Sequence, residues 1–207
     1  MTLRVVTVDD LDAIMSLERR SFPSDAWSEQ TMGTEISSAH NVYLVDEEGG
    51  RIVGYGGVRA LPGGADADIQ TIALDAALRG RGRGRMLLRA LIARARDRGA
   101  RELFLEVRAD NPVAQSLYLS EGFVELARRP RYYQPDDVDA VVMRLDLRGW
   151  AAHETQENAR NAGADAGSAP AIRAISDDSV AAHGSDAEQD GSDAEQDVPD
   201  AEQEAGT

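Results

Sequence analysis

The chain reads as a mixed α/β domain over residues 1–150 followed by an acidic, low-complexity tail over residues 151–207. Three observations carry that reading. Short runs of β-branched and apolar residues alternate with segments of helical periodicity. A glycine-rich turn joins one such run directly to a strongly amphipathic helix. The composition breaks after Trp150, beyond which no aromatic residue occurs and large aliphatic residues are few.

The elements follow in order. Leu3–Val8 is a short strand, and Asp9 or Asp10 can cap a helix whose inner face carries Leu11, Ile14, Met15 and Leu17. Ser28 has the character of a cap for a second, shorter helix reaching to about Ser38. Asn41–Asp46 and Arg51–Ala60 read as strands joined by the turn Glu47-Glu48-Gly49-Gly50. Asp68–Leu74 is a further strand. A helix runs from about Gly84 to Arg98, with Leu87, Leu91 and Ala95 on one stripe, Leu88 and Ile92 beside it, and Gly99 as its stop. Arg101–Val107 is a strand. Asn111 caps a helix opened by Pro112 and ended by Gly122. Phe123–Arg129 and Val138–Leu147 are the last strands.

The formal charge is −15, from 22 basic and 37 acidic residues. It is concentrated in the tail: residues 1–150 carry a net −3 and residues 151–207 a net −12. A seven-residue unit recurs from Ser185, Ser192 and Pro199, but no position in it repeats a large apolar residue. Without a seam to bury, such a segment is expected to stay disordered.

Absences narrow the chemistry. There is no cysteine, which removes disulfides, thiolate metal sites and cysteine nucleophiles. Every basic residue is arginine, which removes Schiff-base chemistry and the phosphate-binding lysine of P-loop enzymes. Only His40 among three histidines lies outside the tail, so no histidine-rich metal site is expected. Nor is a signal peptide or a membrane span, and the expected location is cytoplasmic.

The most informative segment is Leu78-Arg79-Gly80-Arg81-Gly82-Arg83-Gly84-Arg85-Met86. Unpaired N–H groups and a partial positive charge at a helix start favour phosphate. Glycines let an anion reach the backbone, and arginines add bidentate partners. The spacing fits neither the P-loop nor G-x-G-x-x-G, but it fits R-x-x-G-x-G at Arg79, Gly82 and Gly84. An Arg-Gly segment that binds RNA and a plain glycine-rich loop with surface arginines are the competing readings.

A second cluster lies downstream. Glu106 ends a strand on the face opposite Leu103, Leu105 and Val107. Tyr118 falls on the inner stripe of the next helix with Ala114, Leu117 and Glu121. Taken singly, Glu106 could be a solvated strand end paired with Arg108, Tyr118 a core residue and Asn111 an ordinary cap. Taken together, the run L-E-V-R-A-x-N-x-x-A-x-x-L-Y-x-x-x-G-F from Leu105 to Phe123 resembles the GNAT acetyltransferases, as does the glycine-arginine turn. Within them it is similar to the bacterial RimI-type branch, which acetylates the N-terminal alanine of small-subunit ribosomal protein number eighteen. Ile72-Ala73-Leu74-Asp75, Phe22-Pro23 with Trp27-Ser28, and Arg128–Tyr133 resemble it too. The resemblance covers about residues 3–147, with Ser24-Asp25-Ala26 inserted where members can be shorter.

The resemblance implies a mixed, mostly antiparallel GNAT sheet of about six to seven strands flanked by about four helices. It implies acetyl-CoA as cosubstrate, no metal, and direct transfer in a ternary complex, with a ribosomal-protein N-terminal peptide as partner and no direct nucleic-acid role. Glu106 would be the base and Tyr118 the proton donor to the departing thiolate. Backbone N–H groups of Ile72, Ala73 and Leu74 would hold the acetyl carbonyl. The pyrophosphate would meet Gly80, Gly82 and Gly84 with Arg79, Arg81, Arg83 and Arg85 nearby, and Asn111 would touch the pantetheine arm. Trp27, Tyr132 and Tyr133 would contact the acceptor, whereas Phe22 is the better candidate for the core. An α-amine, with a pKa of ~7.7–8.0 against ~10.4 for lysine, costs about 3.4 kcal/mol less to neutralise. Broader N-terminal or lysine acetylation and a non-catalytic coenzyme A sensor remain the alternatives.

Overall fold

The computed structural model describes residues 2–150; the expected disordered tail lies outside them. The described chain forms seven strands: β1 (Thr2–Val5), β2 (Asn41–Glu48), β3 (Arg51–Ala60), β4 (Asp66–Leu74), β5 (Glu102–Arg108), β6 (Val124–Tyr133) and β7 (Val138–Asp146). The helices are α1 (Leu11–Ser21), α2 (Glu29–Ser37), α3 (Arg83–Asp97) and α4 (Pro112–Ser120), with 3-10 turns at Val8–Asp10 and Ala76–Leu78. The seven strands form one sheet in the order β1-β2-β3-β4-β5-β7-β6. Every neighbouring pair is antiparallel except β4–β5, which is parallel.

Local chemistry places most boundaries. Ser28 Oγ accepts the Thr31 N–H at 3.0 Å and starts α2. Asn111 Oδ1 does the same for α4 with the Ala114 N–H at 3.1 Å. Asp10 departs from the expected cap: its carboxylate turns back to the Thr7 N–H and to Arg4, which joins the start of α1 to β1. That ion pair holds the Asp10 carboxyl down at about 2. The β2–β3 turn is tighter than expected, because Glu47 and Glu48 continue the strand and only Gly49 and Gly50, both at positive φ, make the bend.

Alternation along the strands separates two cores. On one face Leu44, Val58, Leu103, Leu105 and Met143 pack with Leu87, Leu88, Leu91 and Ile92 of α3, and with Tyr118 and Phe123. On the other, Tyr43, Val45, Tyr55 and Ala73 pack with Ile14, Met15 and Leu17 of α1 and Met32 of α2.

One ion pair is buried between α3 and the sheet. Arg83, at the start of α3, donates to both carboxylate oxygens of Asp46 on β2 at 2.6 and 2.9 Å and to Glu48 at 2.8 Å. Asp46 is fully buried and the Arg83 side chain nearly so. This bidentate pair ties the first turn of α3 to the sheet. Arg83→Ala leaves a dry, unpaired carboxylate and should lower unfolding stability by about 3 kcal/mol in urea titrations. Arg81→Ala, on the exposed neighbour, should change it by less than about 0.5 kcal/mol.

Candidate active site

Strands β4 and β5 pair over three positions only, Asp66↔Glu102, Ala67↔Leu103 and Asp68↔Phe104, and then part. Beyond that point Ile72, Ala73 and Leu74 still face Gly56, Tyr55 and Gly54 of β3. Their other edge meets no strand among the described residues. Backbone N–H and C=O groups on such an edge seek partners. The opening is a cleft of two adjoining hollows, which share Trp27, Ile69, Gln70, Leu105, Glu106 and Tyr133.

The split lets groups from both faces of the sheet reach one space. Tyr118, from α4 on the face of Leu105 and Val107, lines the inner hollow. Glu106, on the opposite face of β5, lines both hollows. The Tyr118 hydroxyl makes no hydrogen bond to the described residues, and burial pushes it up to about 12, so it stays protonated at neutral pH. Its ring lies 5.7 Å from that of Phe123, so Tyr118 serves the core and the cleft at once.

At the mouth of the split, Gly80 and Gly82 take positive φ and α3 begins at Arg83 with no side-chain cap. Met86 is the first residue of the helix whose N–H is bonded, to the Gly82 carbonyl at 3.1 Å. The N–H groups of residues 80–85 donate to no described residue, which leaves a fan of amides at the positive end of a fifteen-residue helix. A Cβ on Gly84 would stand 3.2 Å from Leu74 Cδ1. The helix start is therefore seated close against the end of β4.

The arginines divide. Arg79 and Arg81 are exposed beside the amide fan. The Arg83 side chain is turned inward to Asp46 and Glu48, so the expectation that it faces an anion is corrected: only its N–H remains for that role. Arg85 lies 2.9 Å from both Glu121 Oε1 and Ser120 Oγ, and Arg89 bonds Glu121 Oε2 at 2.7 Å. These pairs fasten α3 to the end of α4. The glycine-arginine stretch is thus an ordered strand–turn–helix joint rather than a flexible arm.

Glu106 does not pair with Arg108. Arg108 bonds Asp110 and Asp136, each at 3.0 Å, and lies over the Tyr133 ring. The partner of Glu106 is Arg129, at 2.7 Å. Sheet register explains the meeting: Glu106 faces Val142 of β7, which faces Ala127 of β6, and Arg129 stands two residues further on the same face. A bulge between Arg129 and Tyr133 then brings Tyr132 in, and the neighbouring Glu106 carboxylate raises the tyrosine above its ordinary value.

The acceptor-side candidates also line the cleft. Trp27 and Tyr133 border both hollows and Tyr132 the outer one, while Phe22 borders the inner hollow and packs on the second core. Burial, then the Glu106 charge, push Tyr133 up to about 12. Asn111 borders the inner hollow with its Oδ1 committed to its helix. Sequence reasoning missed Glu18. This buried carboxylate borders the inner hollow, accepts the Trp27 N–H at 3.0 Å and receives the Tyr55 hydroxyl. Its signal was a polar residue on the apolar stripe of α1, four positions after Ile14.

Among the described residues no group of three or more His, Asp or Glu could hold a metal, and no helix is long and apolar enough to cross a membrane. The donor set instead suits an anion at the amide fan joined to an extended, amide-bearing arm along the open edge of β4. Gly84→Asp puts a carboxylate into the fan and a Cβ against Leu74. It should weaken binding of a pyrophosphate-bearing nucleotide by about tenfold or more in calorimetric titration.

Comparison with known proteins agrees with this geometry. Residues 11–123 match the acetyltransferase (GNAT) family. The N-alpha-acetyltransferase RimI of Mycobacterium tuberculosis is 38% identical over 149 residues, covering 70% of this chain and 92% of its own length. The [ribosomal protein bS18]-alanine N-acetyltransferase of Salmonella typhimurium is 34% identical over 151 residues, covering 70% and 97%. The crystal structure of the ribosomal-protein-S18-alanine N-acetyltransferase from Escherichia coli superposes with a TM-score of 0.65 at 31% identity, covering 70% of this chain and 93% of that one.

Proposed function

From the premise that this chain belongs to the GNAT acetyltransferase family, and so is an N-acetyltransferase, we propose that its acceptor is the N-terminal alanine of small-subunit ribosomal protein S18. The cosubstrate is acetyl-CoA, which supplies an acetyl thioester. The observation that carries the reading is the split between β4 and β5: it sets Glu106 and Tyr118 around one space, with an amide fan at the start of α3. Residues 80–85 would hold the pyrophosphate through backbone N–H groups, with Arg79 and Arg81 adding charge from solvent. The open edge of β4 at Ile72–Leu74 would pair with the pantetheine arm and direct N–H groups at the acetyl oxygen. Asn111 would meet the same arm.

Each side chain then has a defined task. Glu106, directly or through one water, accepts the proton that the α-amine loses as its nitrogen bonds to the acetyl carbon. Tyr118, un-ionised and without an internal partner, gives its proton to sulfur as the carbon–sulfur bond breaks. Proton release from Glu106 and uptake by Tyr118 close the cycle through solvent. Trp27, Tyr132 and Tyr133 would flank the acceptor peptide, and Glu18 would hold the Trp27 backbone in place. The absence of cysteine fits transfer without an acyl-cysteine stage.

A second reading, a broader range of N-termini, is favoured by the relative from M. tuberculosis, whose name specifies only the α-amine. Peptides differing in their first residue separate the two. The S18-like peptide should be preferred by about tenfold or more in kcat/KM over a serine- or methionine-initiated one, and equal rates would favour the broader reading. Glu106→Gln should lose about a hundredfold in kcat with acetyl-CoA binding retained. Tyr118→Phe should lower kcat more than it weakens acetyl-CoA binding; equal losses in both would make Tyr118 a core residue only.

A further inference from the structure

We infer that Arg129 is a specificity-determining residue, which selects acceptors that present a neutral amine by cancelling the charge of Glu106 at the acceptor end of the cleft. The inference rests on the proposed role of Glu106 and adds to it the reason why an α-amine is chosen over a lysine side chain.

The argument starts from the acceptors. At pH 7 about one α-amine in seven is neutral, against about one lysine in two thousand five hundred. That advantage holds only if the enzyme does not gather the charged form. An unpaired carboxylate in a cleft would do so, since it attracts ammonium ions. Asp68, in the same outer hollow, adds a second negative charge. A lysine substrate would be concentrated at such a site by its own charge.

Arg129 cancels the share of that attraction that comes from Glu106. Its Nη1 lies 2.7 Å from Glu106 Oε1, and its guanidinium sits 5.5 Å from the centre of the Tyr132 ring. Tyr132 in turn lies beside Glu106, whose carboxylate raises it above its ordinary value. The three side chains form a closed group on one face of the sheet, set there by the bulge in β6 and the register through β7. Arginine is charged at every working pH, so the cancellation is permanent. An approaching ammonium meets a fixed cation at the base, while a neutral amine meets none of that repulsion. Glu106 keeps a second carboxylate oxygen with which to accept a proton.

A plain surface ion pair would also give the 2.7 Å contact, and Arg129 is 55% exposed. The experiment separates the two. Full-length wild type, Arg129→Gln and Arg129→Lys are assayed with an alanine-initiated peptide and with the same peptide blocked at its N-terminus and carrying one internal lysine. The ratio of ε- to α-amine kcat/KM should rise by about tenfold in Arg129→Gln and stay within about threefold of wild type in Arg129→Lys. Because turnover could fall for other reasons, binding is measured too. A peptide whose N-terminal alanine is trimethylated carries a permanent charge, and its inhibition constant should fall by about tenfold in Arg129→Gln. A ratio and an inhibition constant that both move by less than twofold would overturn the inference. Wild type that binds acetyl-CoA but acetylates neither peptide would overturn the acceptor reading beneath it.

Discussion

Two neighbouring parallel strands stop pairing after three residues, and the rest of the site depends on that parting. If β4 and β5 stayed zipped, the amides of Ile72–Leu74 would be spent on a strand, and Glu106 and Tyr118 would be sealed on opposite faces of the sheet. Opening the sheet exposes backbone groups whose desolvation without a partner is costly. Under the function proposed above, that cost would make the edge a recognition surface for an arm bearing amides of its own. The 3-10 turn that follows β4 carries the chain to the mouth of the opening, where the amide fan begins.

Holding such a gap open requires that its surroundings not drift, and the chain uses arginine for this throughout. Arg83 fixes the start of α3 to Asp46 and Glu48, Arg85 and Arg89 fix α3 to Glu121 after α4, and Arg108 braces Asp110 and Asp136 below Tyr133. Planar guanidinium groups take two carboxylate oxygens at once, which orients an element as well as attaching it. The fully buried example, Arg83 with Asp46, sets orientation at the cost of desolvating two charges. Its place at the first turn of α3 is where a small rotation would most disturb the free N–H groups.

Glu18 does comparable work on the Trp27 side of the cleft. One carboxylate holds the Trp27 backbone and the Tyr55 hydroxyl, so it joins the loop after α1 to β3, the neighbour of the open edge. Burial and this hydrogen bond push Tyr55 upward, which keeps the hydroxyl a donor to Glu18. The Trp27 side of the cleft is therefore coupled to the strand that lies behind the open edge of β4, and both are referred to one sheet.

Much of the fold was legible because its signals are local. Ser28 and Asn111 announce helix starts by side-chain chemistry that acts within three residues, and Leu87, Leu88, Leu91 and Ile92 mark the buried face of α3 by their spacing. The glycines at 82 and 84 marked the turn from which α3 starts, and alternation along β5 put Glu106 opposite the core. What the residue order determined was the elements, the turn and the identities of the base and proton donor as candidates. It could not show that Arg83 turns inward, that Arg108 leaves Glu106 to Arg129, or that Glu18 underpins Trp27. Those contacts join residues nine to tens of positions apart, and they arise from sheet register, a bulge in β6 and the parting of β4 from β5. Only the folded sheet sets these distances, because charge pairing responds to separation in space and not to separation along the chain.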